Sequence, residues 1–132
     1  MSFWLVKSEP SDYSFQDLVR DRRTRWDGVR NAQALINLRA MRRGDEVLVY
    51  HTGGERRIVG TARVVSDPVP SREDPRLVAV DLAAGESFRT PVPLAVLRGR
   101  RELAAFQLLR NSRLSVMPVT PAEWRILLAM SH

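Results

Sequence analysis

The apolar residues of this chain fall in short runs separated by turn residues, and this pattern restricts the fold more than any other feature. The runs that have the length and content of strands span residues 3–6, 46–50, 57–65, 77–82, 88–92 and 114–119. Gly60 predicts a bulge or a close backbone approach, Pro91 predicts an edge position, and Pro118 predicts an edge or a bend. Five or six such strands predict an α+β fold, with helices inserted around a curled sheet or open barrel.

Helices are predicted where capping residues precede apolar positions at helical spacing. The helical segments begin after Ser14 and Thr120 and cover residues 31–43, 94–97 and 103–109. Ser14 is followed three residues later by Asp17, and Thr120 by Glu123, so each pair can satisfy free backbone N–H groups at a helix start. Gly44 follows the central helix and is typical of a helix stop.

The chain shows no linker, repeat or change of composition, so residues 1–132 are predicted to form a single domain. It has no cysteine and only two histidines, which excludes disulfides, thiol catalysis and cysteine-based zinc sites. No apolar run approaches the roughly 20 residues of a membrane span, and no signal-peptide pattern is present. The sequence therefore predicts a cytoplasmic monomer that binds no membrane, cofactor or metal.

Positive charge is concentrated in residues 20–43. Twenty of the 21 basic residues are arginine; eight of these lie in this stretch with only two aspartates, a local charge equal to the net +6 of the chain. A basic stretch around Trp26 is typical of a surface that binds a polyanion. The alternative is a solvated face whose arginines pair with acids elsewhere. The candidate phosphate-binding residues are Arg22, Arg23, Arg25 and Arg30.

Three segments, residues 3–10, 26–31 and 44–51, end an apolar or aromatic run with compact hydrogen-bonding groups. This combination is typical of a site where a flat polar ring is stacked and then recognised at its edges. The candidate base-binding residues are Lys7, Ser8, Trp26, Asp27, Gly28, Asn31, Tyr50 and His51. Structural roles compete with these: a cap of the central helix for Asn31 and a structural hydrogen bond for His51.

Single residues refine this hypothesis. Lys7 is the only lysine in an arginine-rich chain, which predicts a position that uses a compact ammonium group rather than a planar guanidinium. Trp26 lies among polar and charged residues and is predicted to form a wall of the pocket. Trp4 and Trp124 lie in apolar segments and are predicted to belong to the core.

The order and spacing of these motifs resemble the EVE-domain family of the PUA-like superfamily, which is related to the YTH readers of methylated RNA. The resemblance rests on WLVKSEP (4–10), YS (13–14), WDGVRN (26–31), GDEVLVYH (44–51), IVG (58–60) and RLSV (113–116). It implies a PUA-like pseudo-barrel of five to six mostly antiparallel strands with flanking helices, and a pocket for a modified nucleobase. The motif positions that line or support this pocket are matched by Lys7, Ser8, Trp26, Asn31, Tyr50 and His51. Residues 32–37 and 52–54 depart from the family pattern.

These observations predict a non-catalytic reader of a modified base in DNA or RNA. In this hypothesis Trp26 stacks on the extruded base, Lys7, Ser8 and Asn31 contact its edges, and the arginines hold phosphates. One alternative is an enzyme similar to the amidohydrolases of related PUA-like folds, because Lys7 lies beside Glu9 and a desolvated lysine can act as a base or nucleophile. The other alternative is a general module that contacts RNA or protein.

Overall fold

The computed structural model describes all residues, 1–132, and shows one seven-stranded sheet flanked by five helices. The elements are β1 (Phe3–Ser8), α1 (Phe15–Asp21), β2 (Arg23–Trp26), α2 (Ala32–Ala40), β3 (Glu46–His51), β4 (Arg57–Val64), β5 (Val69–Pro70), β6 (Val78–Pro93), α3 (Leu94–Arg98), a 3-10 turn (Arg101–Leu103), α4 (Gln107–Arg110), β7 (Val116–Val119) and α5 (Pro121–Met130). The predicted α+β class is confirmed.

The sheet is open and mixed, with the strand order β2-β6-β4-β3-β1-β7 and with β5 beside β6. Only β1 and β3 run parallel, so the expectation of mostly antiparallel strands is confirmed. Because β1 and β3 are parallel and paired from Phe3–Glu46 to Ser8–His51, the predicted site segments 3–10 and 44–51 end side by side. The sheet therefore brings Lys7 next to Tyr50 at one end.

The strand count differs from the prediction of five or six. Segments 77–82 and 88–92 are one strand, β6, because the polar residues between them continue the ladder with β4 through register shifts instead of turning. The part that contains Pro91 pairs with β4 alone, while β2 pairs with residues 80–83. The short strands β2 and β5 were not predicted, since neither has an apolar run of its own.

The helix starts predicted at Ser14 and Thr120 are confirmed, and each has a capping box. The Ser14 hydroxyl accepts from the backbone N–H of Asp17, whose carboxylate accepts from the N–H of Ser14, and Thr120 and Glu123 form the same pair. Helix α2 ends at Ala40 rather than at residue 43, so that prediction is corrected. The Asp45 carboxylate accepts from the backbone N–H of Arg42 and draws this segment towards β3 instead of a further helical turn.

The core lies between the sheet and its helices, and two tryptophans belong to it as predicted. Trp4 and Trp124 are 7% and 8% exposed. The Trp124 ring stacks on Phe3 with 4.6 Å between ring centroids. The indole N–H of Trp4 donates to a carboxylate oxygen of Asp45 at 2.9 Å, so its one polar group is satisfied inside the protein.

Gly60 lies at a register shift between β4 and β6, as expected for a bulge, and the structure leaves no room for a side chain there. A Cβ atom would lie 2.5 Å from the ring of Phe15 and 2.7 Å from the carbonyl oxygen of Glu86. We expect Gly60→Ala to lower the free energy of unfolding by about 1–3 kcal/mol, because overpacking forces the neighbours to move. Chemical denaturation measures it, and Gly54→Ala, which meets nothing within 4 Å, is the control. Equal stability of the two variants would contradict the packing described here.

Candidate nucleic-acid site

A cleft of about 500 Å³ opens beside the end of β1, between Ser115 on one side and β2 with the segment that follows it on the other. Its lining is mostly polar, with a few apolar and aromatic groups. The lining residues are Lys7, Ser8, Glu9, Asp12, Tyr13, Thr24, Arg25, Trp26, Asp27, Gly28, Val29, Arg30, Glu73 and Ser115. The volume falls within the range of small-molecule sites in proteins, and a flat ring fits it.

The aromatic wall of the cleft is formed by Trp26 and Tyr13. Their ring centroids lie 6.3 Å apart at an interplanar angle of 82°, an edge-to-face contact. Trp26 pairs with Val80 in β6, and Val80 is fully buried. Because directly paired residues face the same side of a sheet, the indole lies on the core side of the edge strand β2. The Tyr13 hydroxyl donates to Asp21 at 2.8 Å, and burial raises the pKa of that hydroxyl. Trp26 is thus partly buried and still reaches the cleft.

The floor beside Trp26 is a tight turn fixed by one carboxylate. Asp27 accepts hydrogen bonds from the backbone N–H of Gly28, at 2.8 Å, and from the hydroxyl of Ser71. Gly28 has φ of +76°, a conformation that favours glycine. The bond from Ser71 is the main reason why the pKa of Asp27 lies below its usual value. The cleft therefore contains an ionised carboxylate in a fixed position.

Lys7 and Ser8 form the opposite part of the lining. The Lys7 ammonium donates to the carbonyl oxygen of Ser112 at 2.8 Å and lies 6.0 Å from the centroid of the Tyr50 ring. Burial lowers the pKa of Lys7. The Ser8 hydroxyl donates to the carbonyl oxygen of Tyr13. Since its one hydrogen is used, Ser8 can only accept a hydrogen bond from a ligand.

Acidic groups outnumber basic groups in the lining. The carboxylates belong to Glu9, Asp12, Asp27 and Glu73, and the cations to Lys7, Arg25 and Arg30. Two of the cations are paired: Arg25 with Asp81 at 2.9 Å and Arg30 with Glu73 at 3.5 Å. A site of this kind favours a ligand that donates N–H groups over one that brings a bare negative charge into the cleft.

Several predicted site residues lie outside this lining. The Asn31 side chain caps α2 by accepting from the N–H of Ala34. His51 is 2% exposed; its Nε2 accepts from the N–H of Phe15 and its Nδ1 contacts Glu55 at 3.0 Å, so both ring nitrogens are occupied. Tyr50 is 4% exposed, and its ring lies beneath the Lys7 ammonium group instead of lining the cleft. Arg22 and Arg23 are exposed and do not line the cleft.

The cleft also contains residues that sequence reasoning did not select. Tyr13 stood in a recognised motif, and its aromatic ring was the signal that could have been used. Thr24 lies two residues before Trp26 in β2 and therefore faces the same side, but β2 itself was not predicted. Glu73 comes from the proline-rich segment 67–75, which no local pattern connects to Trp26. Ser115 lies at the cleft because its carbonyl oxygen accepts a hydrogen bond from the backbone N–H of Lys7.

The arginine-rich stretch is not one surface. Five of its eight arginines form ion pairs, namely Arg20, Arg23, Arg25, Arg30 and Arg43. Arg39 and Arg42 lie by the start of β3, at the opposite end of the sheet from the cleft, because Arg42 bonds to the carbonyl of Arg39 and to Asp45. The interpretation as a solvated face with acidic partners fits these five residues.

The structure shows neither a metal-binding cluster nor a membrane-spanning helix. No group of three or more histidine, aspartate or glutamate side chains is placed to hold a metal ion. No helix is both long enough and apolar enough to cross a membrane.

Comparison with known proteins gives the family. The EVE-domain family model matches residues 2–130. Thymocyte nuclear protein 1 of Homo sapiens is 31% identical, over 99% of this chain and 74% of its own length. The solution structure of Rpa0253 from Rhodopseudomonas palustris is 39% identical with a TM-score of 0.95, over 99% of this chain and 93% of that one. The chain belongs to the EVE-domain family, as its motifs indicated.

One solved relative carries a ligand. The structure of the human THYN1 protein in complex with DNA that contains 5-methylcytosine is 28% identical to this chain, with a TM-score of 0.91. The match covers 100% of this chain and 98% of that one. A family member with the same fold along its whole length thus binds nucleic acid with a modified base.

Proposed function

We propose that this domain is a non-catalytic reader that binds a modified base of nucleic acid in the cleft. The observation that carries the proposal is the complex of the human relative with 5-methylcytosine DNA, since the two folds match from end to end. The cleft supports it independently, because it combines an aromatic wall with fixed hydrogen-bonding groups in a volume that suits one base.

In this proposal the base leaves its stack and enters the cleft against Trp26. Stacking on one aromatic ring is worth about 1–3 kcal/mol, which offsets part of the cost of extruding the base. Asp27 and the lone pairs of Ser8 accept from N–H groups at the edge of the base, and the Lys7 ammonium donates to a carbonyl oxygen. A cytosine-type base carries an exocyclic amine and a ring carbonyl, and carboxylates accept from that amine.

The phosphate-binding role of Arg22, Arg23, Arg25 and Arg30 stays a prediction. Arg23 and Arg25 both pair with Asp81, and Arg30 pairs with Glu73, so only Arg22 has a charge without a carboxylate partner. A phosphate would have to replace these carboxylates, which reduces the net gain.

The enzyme hypothesis starts from Lys7 and Glu9, whose side chains are engaged elsewhere. The Lys7 ammonium bonds to the carbonyl of Ser112, while Glu9 accepts from the backbone N–H and the hydroxyl of Ser11. Burial lowers the pKa of Lys7, the direction that a catalytic base requires, so activity must be tested directly.

The test is incubation of the protein with modified nucleosides and short modified oligonucleotides, followed by mass spectrometry of the bound fraction. A reader returns its ligand unaltered and enriched over the unmodified counterpart. An altered ligand supports the enzyme, and capture without enrichment supports a general interaction module; either result contradicts the proposal.

Lys7→Arg is expected to weaken discrimination between modified and unmodified oligonucleotides by about 0.5–1.5 kcal/mol, the net value of one hydrogen bond. The reason is that a planar guanidinium does not fit the partly buried position between Ser112 and the Tyr50 ring as a compact ammonium does. Paired titrations measure the effect. Unchanged discrimination would remove Lys7 from the recognition site.

A further inference from the structure

Several arginines outside the arginine-rich stretch have no acidic partner, and three of them lie near Tyr50 and Lys7. Arg56, Arg98 and Arg113 are all exposed, and none has a carboxylate within 4.0 Å, the distance that defines the ion pairs of this structure. Because an exposed unpaired arginine keeps its full field, such residues attract a polyanion more strongly than arginines already neutralised by carboxylates.

The fold brings these three arginines to the cleft end of the sheet. Arg56 immediately precedes Arg57, which pairs with His51 at the end of β3, and the carbonyl of Arg56 accepts from the N–H of Leu94 at the start of α3. Arg98 ends that short helix. Arg56 and Arg98 thus lie where β3 ends and α3 begins.

Tyr50 and Lys7 connect the three arginines to the cleft. Burial raises the pKa of the Tyr50 hydroxyl, and the positive charges of Arg56 and Arg98 oppose that rise, so both guanidinium groups act on this ring. Lys7 lies over the same ring and bonds to the carbonyl of Ser112, the residue before Arg113. The N–H of Lys7 also bonds to Ser115, which lines the cleft.

The acidic residues near this group leave its charge largely intact. Glu55, next to Arg56, is occupied by His51 at 3.0 Å and by Arg57 at 3.1 Å. Glu9 accepts from two groups of Ser11. Arginine guanidinium groups match phosphate oxygens with two parallel hydrogen bonds, so exposed and unpaired arginines suit a phosphodiester backbone.

We propose that Arg56, Arg98 and Arg113 form the phosphate-binding surface of this domain and hold the nucleic-acid backbone beside the cleft. The inference rests on the proposed function and differs from it in location, since it assigns the backbone to the side of Lys7 and α3 rather than to the side of Trp26 and β2. Bound phosphates on this surface flank a nucleotide whose base has entered the cleft past Lys7.

The test is the salt dependence of binding to an unmodified duplex DNA and to the same duplex with 5-methylcytosine. Each phosphate contact contributes about 0.9 to the slope of log affinity against log salt. We expect Arg56→Gln, Arg98→Gln and Arg113→Gln each to lower the slope by about that amount, with the same ratio of affinities for the two duplexes. Arg39→Gln removes an equal charge at the opposite end of the sheet and is expected to leave the slope unchanged.

The outcomes separate the two proposals. Unchanged slopes in all three variants, or a loss confined to variants of Arg22 and its neighbours in β2, overturn the inference. Lower slopes together with equal affinity for both duplexes uphold this surface and contradict a reader of 5-methylcytosine in duplex DNA. A preference for the modified duplex with unchanged slopes supports the reader and contradicts this phosphate-binding surface. The absence of any DNA binding at low salt contradicts this surface and also a reader of modified DNA.

Discussion

Trp26→Ala is expected to weaken the binding of a modified oligonucleotide by about 1–3 kcal/mol, the value of one base stacked on an aromatic ring. The residue forms a wall of the cleft and is only partly buried, in edge contact with Tyr13. Its loss should therefore lower the free energy of unfolding by much less than the roughly 3–5 kcal/mol of an emptied core tryptophan site. Oligonucleotide titration and thermal unfolding measure the two effects.

Trp124 gives the matched control because it is buried and stacked on Phe3. Trp124→Ala is expected to destabilise the protein by about 3–5 kcal/mol and to leave the affinity of the folded fraction nearly unchanged. Trp26→Phe keeps a ring at the cleft wall and should recover part of the affinity. If Trp26→Ala unfolds the protein while the folded fraction still discriminates between bases, Trp26 is a core residue and the base does not stack on it.

Asp45→Ala is expected to lower the free energy of unfolding by about 2–4 kcal/mol. Asp45 is 4% exposed and accepts from the indole N–H of Trp4, the backbone N–H of Arg42 and the backbone N–H of Ser2. Its removal leaves the buried Trp4 donor and the partly buried Arg42 donor without partners, and each orphaned donor costs about 1–3 kcal/mol. Chemical denaturation measures the loss, and an unaltered midpoint would contradict this role.

The same carboxylate predicts a pH dependence of stability. Burial alone would raise the pKa of Asp45, but the hydrogen bonds from Trp4, Ser2 and Arg42 together hold it below its ordinary value of 3.8. Because the pKa is lower in the folded state, the stabilisation is complete above about pH 3.8 and is lost as the pH falls through the folded-state pKa. Asp45→Asn removes this contribution, so the stability difference from wild type should shrink in acid. A difference that is constant with pH would contradict the assignment.

Most of the secondary structure could be predicted because its signals are local. The capping boxes at Ser14 and Thr120 define helix starts within four residues, and Gly60 marks the register shift where two strands and Phe15 approach. Two elements could not be predicted from local signals. Strand β2 exists because it pairs with β6 about 57 residues later in the chain, and α2 ends early because Asp45 binds the N–H of Arg42.

The candidate site could be predicted where the side chain of a motif residue has no structural partner that removes it from the cleft. Lys7 and Trp26 fall in motifs, and both line the cleft. His51 and Asn31 fall in motifs as well, but each accepts a hydrogen bond from a backbone N–H, which is the structural role that the sequence offered as the alternative. The charge pattern was least informative, because an arginine such as Arg25 is neutralised by an acid that is distant in sequence.

The most direct test of the proposed reader is the affinity of the wild-type protein for a panel of oligonucleotides, single-stranded and duplex, that differ from an unmodified parent at one base. The panel begins with 5-methylcytosine, the base bound to the human relative. We predict that at least one modified member binds at least about tenfold more tightly than its parent, a difference of about 1.4 kcal/mol. Equal affinity of every modified member and its unmodified parent would contradict the account.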